Sequence, residues 1–271
     1  MKPFIEIMRP LNSAIASFAV FVGYCLSLGR IDYSVQLLFA MVSAFLIAGG
    51  GQAINDFFDA EVDRRFKPHR VIPRGEIERK TAFFYSLALF SAGMVFSYAI
   101  TPAAFFIAGI FAALLALYSA FMQEYKFIGN AIVAAGTAVT LIYGASITGN
   151  YGIVIFLALS AFLANMGREI TKDIEDMKGD SGRKASTPMM LGKRNAAMLV
   201  LLFYVFGMII AAYVWFAGLV SGIFYPVLIA ISGVTFLLAY RQLSNGDAHD
   251  SQRYSKGAMF IALLAFLSAV I

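Results

Sequence analysis

The stretch Asn55-Asp56-Phe57-Phe58-Asp59-Ala60-Glu61-Val62-Asp63 places four acidic side chains in nine positions of a chain that is 60% hydrophobic. It runs on without interruption from an uncharged segment, Tyr33–Ile54, of 22 residues. A helix needs about 20 apolar residues to cross the hydrocarbon core of a bilayer. The quoted residues therefore read as the end of a membrane helix that carries its carboxylates past the apolar layer.

The rest of the chain supports that reading. Only 14% of the 271 residues are charged and the mean hydropathy is +0.77, whereas about a quarter of a soluble domain is charged. Further uncharged runs span Ser13–Gly29 (17 residues), Thr81–Gln123 (43), Phe127–Gly167 (41) and Asn195–Tyr240 (46). Each of the three longest holds two helices, with breaks at Thr101-Pro102, at Thr148–Gly152 and at Gly218 to Gly222. The apolar tail Gly257–Ile271 adds one more. The expectation is an all-α integral membrane protein of nine transmembrane helices forming a single domain over residues 1–271.

Lys2 and Arg9 precede the first run as in a signal peptide, but no small-residue cleavage site follows, so this segment reads as a retained helix. The lone Cys25 excludes an internal disulfide. With the N-terminus cytoplasmic and the C-terminus outside, only Arg30 of 21 Lys and Arg residues, and only Asp32 of 16 acids, fall outside. The positive-inside rule selects that orientation. The net charge of +5 then suits interfacial residues among anionic head groups and calls for no nucleic acid. No feature demands an obligate protein partner.

Two inside connections are long, roughly residues 55–80 and 168–194, and each carries seven basic residues. Both contain Asp-x-x-Asp-x-x-x-Asp, as Asp56, Asp59 and Asp63 and again as Asp173, Asp176 and Asp180. Positions i, i+3 and i+7 share a helix face, where like charges repel by about a few tenths of a kcal/mol per pair. An Asp at mid-bilayer costs roughly 2.5–3.5 kcal/mol, so each stripe needs compensation. Solvated helix ends paired to neighbouring Arg and Lys would supply it. So would Mg²⁺, a hard cation that takes one or two carboxylates and completes its shell with water and phosphate oxygens. Two His and one Cys, none in the stripes, do not suit a transition metal.

Arg64, Arg65, Lys67, Arg70 and Arg74 follow the first stripe, Arg168 and Lys172 precede the second, and Lys126 lies on a short third inside loop. Acids, metal and bases together describe a diphosphate site, for which Arg70, Lys126, Arg168 and Lys172 are the chosen cations. Asn12, beside Arg9-Pro10, reads either as a ligand to a substrate phosphate or as a helix cap. Gly49-Gly50-Gly51 lacks the Lys-Ser/Thr of a phosphate loop and reads as close helix packing. Asp247-Ala248-His249-Asp250 reads as exposed loop.

Asn-Asp-x-x-Asp-x-x-x-Asp after helix 2, with its counterpart after helix 6, resembles the UbiA superfamily of intramembrane prenyltransferases over essentially the whole chain. The resemblance implies Mg²⁺ on both motifs holding a prenyl diphosphate, the two long cytosolic loops capping an intramembrane chamber for the lipid tail. Asn55, Asp56, Asp59 and Asp63 match the first metal-binding motif and Asp173, Asp176 and Asp180 the second. Arg70 in His69–Gly75 matches the arginine of Arg-Pro-Ile-Pro-x-Gly, with Val71 in place of proline, a departure expected to relax the loop. The stretches 8–27, 118–134 and 167–180 look most like the archaeal branch that adds a second geranylgeranyl chain to geranylgeranylglyceryl phosphate. The implied partners are thus a prenyl diphosphate, a lipid-like phosphate acceptor and membrane lipids. Cation–π stabilisation of a developing allylic charge would fall to Tyr118, Phe121, Tyr125 or Tyr143. A CDP-alcohol transferase is disfavoured because 56–65 lacks Asp-Gly-x-x-Ala-Arg. A transporter would set its polar residues near the bilayer midplane. Branches acting on aromatic acceptors compete most closely.

Overall fold

The computed structural model describes residues 2–122, 126–180 and 186–271, without the side chains of 121, 122, 126 and 178–180. Its regular structure is helical: α1 (Lys2–Ile7), α2 (Pro10–Leu28), α3 (Val35–Phe66), α4 (Arg79–Tyr98), α5 (Pro102–Leu117), α6 (Lys126–Ala145), α7 (Gly152–Asp180), α8 (Thr187–Leu191), α9 (Lys193–Phe216), α10 (Phe224–Ser244) and α11 (Ala248–Ser268). A π-helical turn, Tyr118–Met122, extends α5. Among the described residues eight helices, α2 to α7, α9 and α10, are long and apolar enough to cross a membrane.

The helices end where local chemistry ends them. Thr101 caps α5 by accepting from the Ala104 amide, and Pro102 occupies the first turn, where its missing N–H costs nothing. The α6–α7 and α9–α10 connections fall at Thr148–Gly152 and around Gly218–Gly222, with Gly149, Gly218 and Gly222 at positive φ. Both acidic motifs continue their membrane helices. At 32 residues, α3 is about 48 Å long, well beyond the roughly 30 Å hydrocarbon core. The segment 247–250 is not an exposed loop. Asp247 accepts from the Asp250 amide and starts α11, which begins well before the apolar tail and carries Asp250, Arg253 and Lys256 in its first half.

The chain divides into two compact units. In the first, Met1–Phe21 with Tyr33–Met122, α3 packs along α4 and against α5. The triple glycine makes this possible. A Cβ on Gly49 would stand 2.7 Å from Met8 Cε, one on Gly50 2.9 Å from Phe90 Cδ1, and one on Gly51 2.8 Å from Leu115 Cδ1. Ser43 Oγ donates to the Gly93 carbonyl at 2.8 Å, a hydrogen bond between helices that small residues permit. Ile7, Ala53, Ala60, Val71, Ile72, Ile77 and Ala82 form one apolar cluster that pins α1 and the 67–78 connection against the C-terminal end of α3. Val71 is therefore a buried anchor. The loop is not relaxed there: the Glu76 amide donates to the Val71 carbonyl at 3.2 Å and the Arg74 amide to Arg70 at 3.0 Å.

The second unit comprises Val22–Asp32 and Gln123–Ile271. Here α7 packs on α6, α9 and α11, and α10 on α9 and α11, around Ile170, Val200, Tyr204, Phe236 and Ala258. Gly23 lies flush against α6, where an added Cβ would fall 2.1 Å from the Leu141 carbonyl oxygen. Backbone cannot yield as a flexible side chain does. Gly23→Ala is expected to destabilise the protein by about 1–3 kcal/mol, read as a lower thermal midpoint in detergent. An unchanged midpoint would mean that the helices separate freely at this crossing.

Candidate active site

The first acidic stripe is neither solvated nor empty of partners. Asp56 and Asp63 are each only 4% exposed, so each must be paired where it stands. Arg70 Nη1 donates to Asp56 Oδ1 at 3.1 Å and to Asp63 Oδ2 at 2.5 Å. Arg9 Nη2 reaches the same Asp56 oxygen at 2.6 Å. Asp59, half-buried between them in sequence, accepts from Asn55 Nδ2 at 2.9 Å, one helical turn earlier.

Arg9 is delivered by an unusual backbone. It joins α1 to α2 with φ +48°, a left-handed conformation that costs a non-glycine residue about 1–2 kcal/mol. Its amide donates to the Glu6 carbonyl at 3.0 Å, and its carbonyl accepts from the amides of Asn12 at 2.9 Å and Ser13 at 3.2 Å. Burial lowers the pKa of the guanidinium from its usual value, while Asp56 raises it. Arg9, not Asn12, occupies the cap position of α2, and Asn12 is an exposed residue of its first turn. The other bases behind the stripe turn elsewhere. Arg64 pairs with Glu61 at 3.6 Å, and Arg74 with Glu6 at 2.9 Å and Glu76 at 3.0 Å. Arg79 donates to the Phe57 carbonyl at 2.9 Å and lies 4.8 Å over the Phe57 ring.

The second stripe lies on α7. Asp173, 2% exposed, accepts from Asn130 Nδ2 of α6 at 2.7 Å, and Asp176 is half-buried. Arg168 and Lys172 meet on one carboxylate, the buried Glu169, at 2.6 Å and 3.3 Å. Arg168 also donates to Asn165 Oδ1 at 2.9 Å, and Asn165 in turn donates to Thr137 Oγ1 at 2.9 Å. Asp180 ends α7 and Lys126 begins α6, but their side chains, like that of Phe121 and the whole of Tyr125, lie outside the described residues. Tyr118 is half-buried in the π turn and Tyr143 is buried in α6.

Asn55, Asp56, Asp59 and Asp63 in the first unit offer hard oxygens of the kind that suits Mg²⁺, and so, taken by themselves, do Asp173 and Asp176 in the second. Among the described residues no three His, Cys, Asp or Glu side chains gather as a metal cage. Mg²⁺ does not need one, because it takes one or two carboxylates and fills its shell with water and substrate oxygens.

The sequence pattern of the UbiA prenyltransferase family matches residues 16–264. The chain belongs to this family. It is 38% identical, over all of its own length and 99% of the relative's, to a digeranylgeranylglyceryl phosphate synthase of Thermococcus gammatolerans. It also superposes, with TM-score 0.82 and 33% identity over its full length and 98% of the other chain, on a solved structure described for digeranylgeranylglyceryl phosphate synthase in membranes. A UbiA homologue from Archaeoglobus fulgidus bound to GPP and Mg²⁺ shares the fold at 19% identity, with TM-score 0.69 over 97% of this chain and 99% of that one.

Within this UbiA protein, Arg9, Asn130, Asn165 and Glu169 are the polar partners that motif reading passes over. All but Arg9 had a faint signal. Asn130 and Asn165 interrupt an otherwise apolar run, and Glu169 stands between two bases directly after it. Arg70 carries the heaviest burden. Removing one partner of a buried ion pair costs about 3–5 kcal/mol, against about 0–1 for an exposed pair. Arg70→Ala should therefore lower the thermal midpoint far more than Arg74→Ala; equal midpoints would show that Asp56 and Asp63 are paired some other way.

Proposed function

We propose that this UbiA prenyltransferase transfers a geranylgeranyl group from geranylgeranyl diphosphate to the hydroxyl of geranylgeranylglyceryl phosphate, with Mg²⁺, in the synthesis of an archaeal ether lipid. The observation that carries this reading is the full-length likeness to a digeranylgeranylglyceryl phosphate synthase. The Mg²⁺ and GPP held by the Archaeoglobus homologue support the metal and the class of donor.

The residues have roles that follow from their chemistry. Asn55, Asp56, Asp59 and Asp63, and on the second unit Asp173, Asp176 and Asp180, supply the oxygens that hold the metal. Bound there, Mg²⁺ would neutralise the diphosphate's charge and ease its departure. Arg70 already stands at Asp56 and Asp63, placed to donate to diphosphate oxygens, and Lys126 adds a cation. Arg168 and Lys172 bind substrate phosphate. During transfer the bond between the allylic carbon and the diphosphate oxygen breaks, a bond from the acceptor oxygen to that carbon forms, and the hydroxyl proton is released. Cations fixed before the reaction stabilise the leaving charge without reorganising, and Tyr118 offers an aromatic face to the allylic carbon.

The whole chain acts as one UbiA-type domain. Its ninth span on this reading is α11, whose apolar half follows Lys256; nine spans put the termini on opposite sides, with the N-terminus assigned to the cytoplasm and the C-terminus outside. The concentration of Lys, Arg and acids at one end of the spans supports that orientation and puts the active site at the cytoplasmic face. An aromatic acceptor, as used elsewhere in the superfamily, is the competing substrate.

Asp59→Asn and Asp176→Asn each keep the size of the side chain while removing the anion. Each should lower turnover by about 100-fold or more with little change in the thermal midpoint. EDTA should stop the wild-type reaction and added Mg²⁺ restore it. Full activity in either variant, or indifference to chelation, would refute the assignment of these acids to a metal-bound diphosphate.

A further inference from the structure

The polar end of the second unit holds a cation that neither motif explains. Helices α7 and α11 pack against each other and run antiparallel. Near the start of α11, His249 Nδ1 lies 3.1 Å from Glu175 Oε1, and Gln252 donates to the other oxygen of the same carboxylate. A turn further along, Ser255 Oγ lies 2.8 Å from the hydroxyl of the buried Tyr204, whose ring is seated against Gly167 of α7. This register is fixed on both sides. Because 249, 252 and 256 share one face of a helix, it sets Lys256 one turn beyond Glu175, alongside Lys172, Glu169 and Arg168.

The charges there do not cancel. Arg168 and Lys172 share Glu169, and Glu175 is taken by His249 and Gln252. Lys256 is exposed and makes no ion pair among the described residues. Burial of its stem, and then the charge of Arg168, push its ammonium below the usual lysine range; Glu175 and Glu169 oppose this, and Lys172 adds to it. Three cations thus crowd around two carboxylates, Glu169 and Glu175. An incoming phosphomonoester, with about −1.5 to −2 charges at neutral pH and three acceptor oxygens, relieves that crowding, and a guanidinium with two ammonium groups is a suitable set of donors for it.

We propose that Lys256, with Arg168 and Lys172, forms the subsite for the phosphate of the lipid acceptor, and that this subsite selects acceptors bearing a phosphomonoester. The assignment rests on the acceptor class proposed above. The donor's diphosphate is the other possible source of such an anion. It is the worse match, since a diphosphate carrying Mg²⁺ is directed to carboxylates, whereas the buried acid in this cluster is already shared by two cations.

Two measurements test the subsite. In steady-state assays, Lys256→Met should raise KM for geranylgeranylglyceryl phosphate about tenfold, the loss of one charge-assisted contact, with KM for geranylgeranyl diphosphate unchanged. With the dephosphorylated acceptor the variant should match wild type, and Lys256→Arg should restore most of the affinity for the phosphorylated one. In a binding assay without any prenyl diphosphate, glycerol 1-phosphate should raise the thermal midpoint of wild type but not of Lys256→Met. A rise confined to the KM for the diphosphate would overturn the subsite by assigning the cluster to the donor. An unchanged acceptor KM in an active enzyme would also overturn it. Glycerol 1-phosphate binding that depends on Lys256, in a protein inactive toward every prenyl diphosphate, would uphold the subsite and instead refute the transferase reading.

Discussion

Two aspartates that water hardly reaches stand at the end of a membrane helix, and a single guanidinium nitrogen bridges them. That interaction organises much of the first unit. Asp56 and Asp63 are seven residues apart on α3, and Arg70 Nη1 reaches both. For Arg70 to arrive there, the 67–78 connection must fold back on the helix it has just left, which Val71 and Ile72 enforce by packing into the apolar cluster. For Arg9 to reach Asp56, α1 must join α2 through a left-handed residue. The loop, the short N-terminal helix and the strained junction are all consequences of keeping two buried anions paired.

The same pairing bears on the reaction proposed for the protein. If these acids hold a metal-bound diphosphate as proposed, the arginines that neutralise them are themselves good donors to its phosphates. The second unit follows similar logic with different parts. Asn130 gives Asp173 a neutral donor, while Arg168 and Lys172 of α7 meet on Glu169.

Much of this was legible in the sequence. Uncharged runs and their Gly and Pro interruptions located the membrane helices and their breaks, because hydrocarbon tolerates few alternatives. The continuation of α3 and α7 into their acidic motifs followed from the lack of any breaker before Asp56 or Asp173. Pairings across long sequence separation were not legible. Arg9 and Asp56 are 47 residues apart, and nothing local says that a basic residue before helix α2 will be turned inward. Glu169 belongs to neither acidic motif and so drew no reading, although the structure makes it the hub of two cations. The stretch 247–250 read as loop because its residues are polar, whereas Asp247 uses that polarity to cap α11. Val71 read as a loosening of the loop, yet its side chain anchors it.

The direct test of the account is the identity of the product. Purified protein in detergent or liposomes would be given labelled geranylgeranyl diphosphate and Mg²⁺, with geranylgeranylglyceryl phosphate and 4-hydroxybenzoate present together. The account predicts label in the lipid phosphate and none in the aromatic acid. Label in the aromatic acid alone would contradict it.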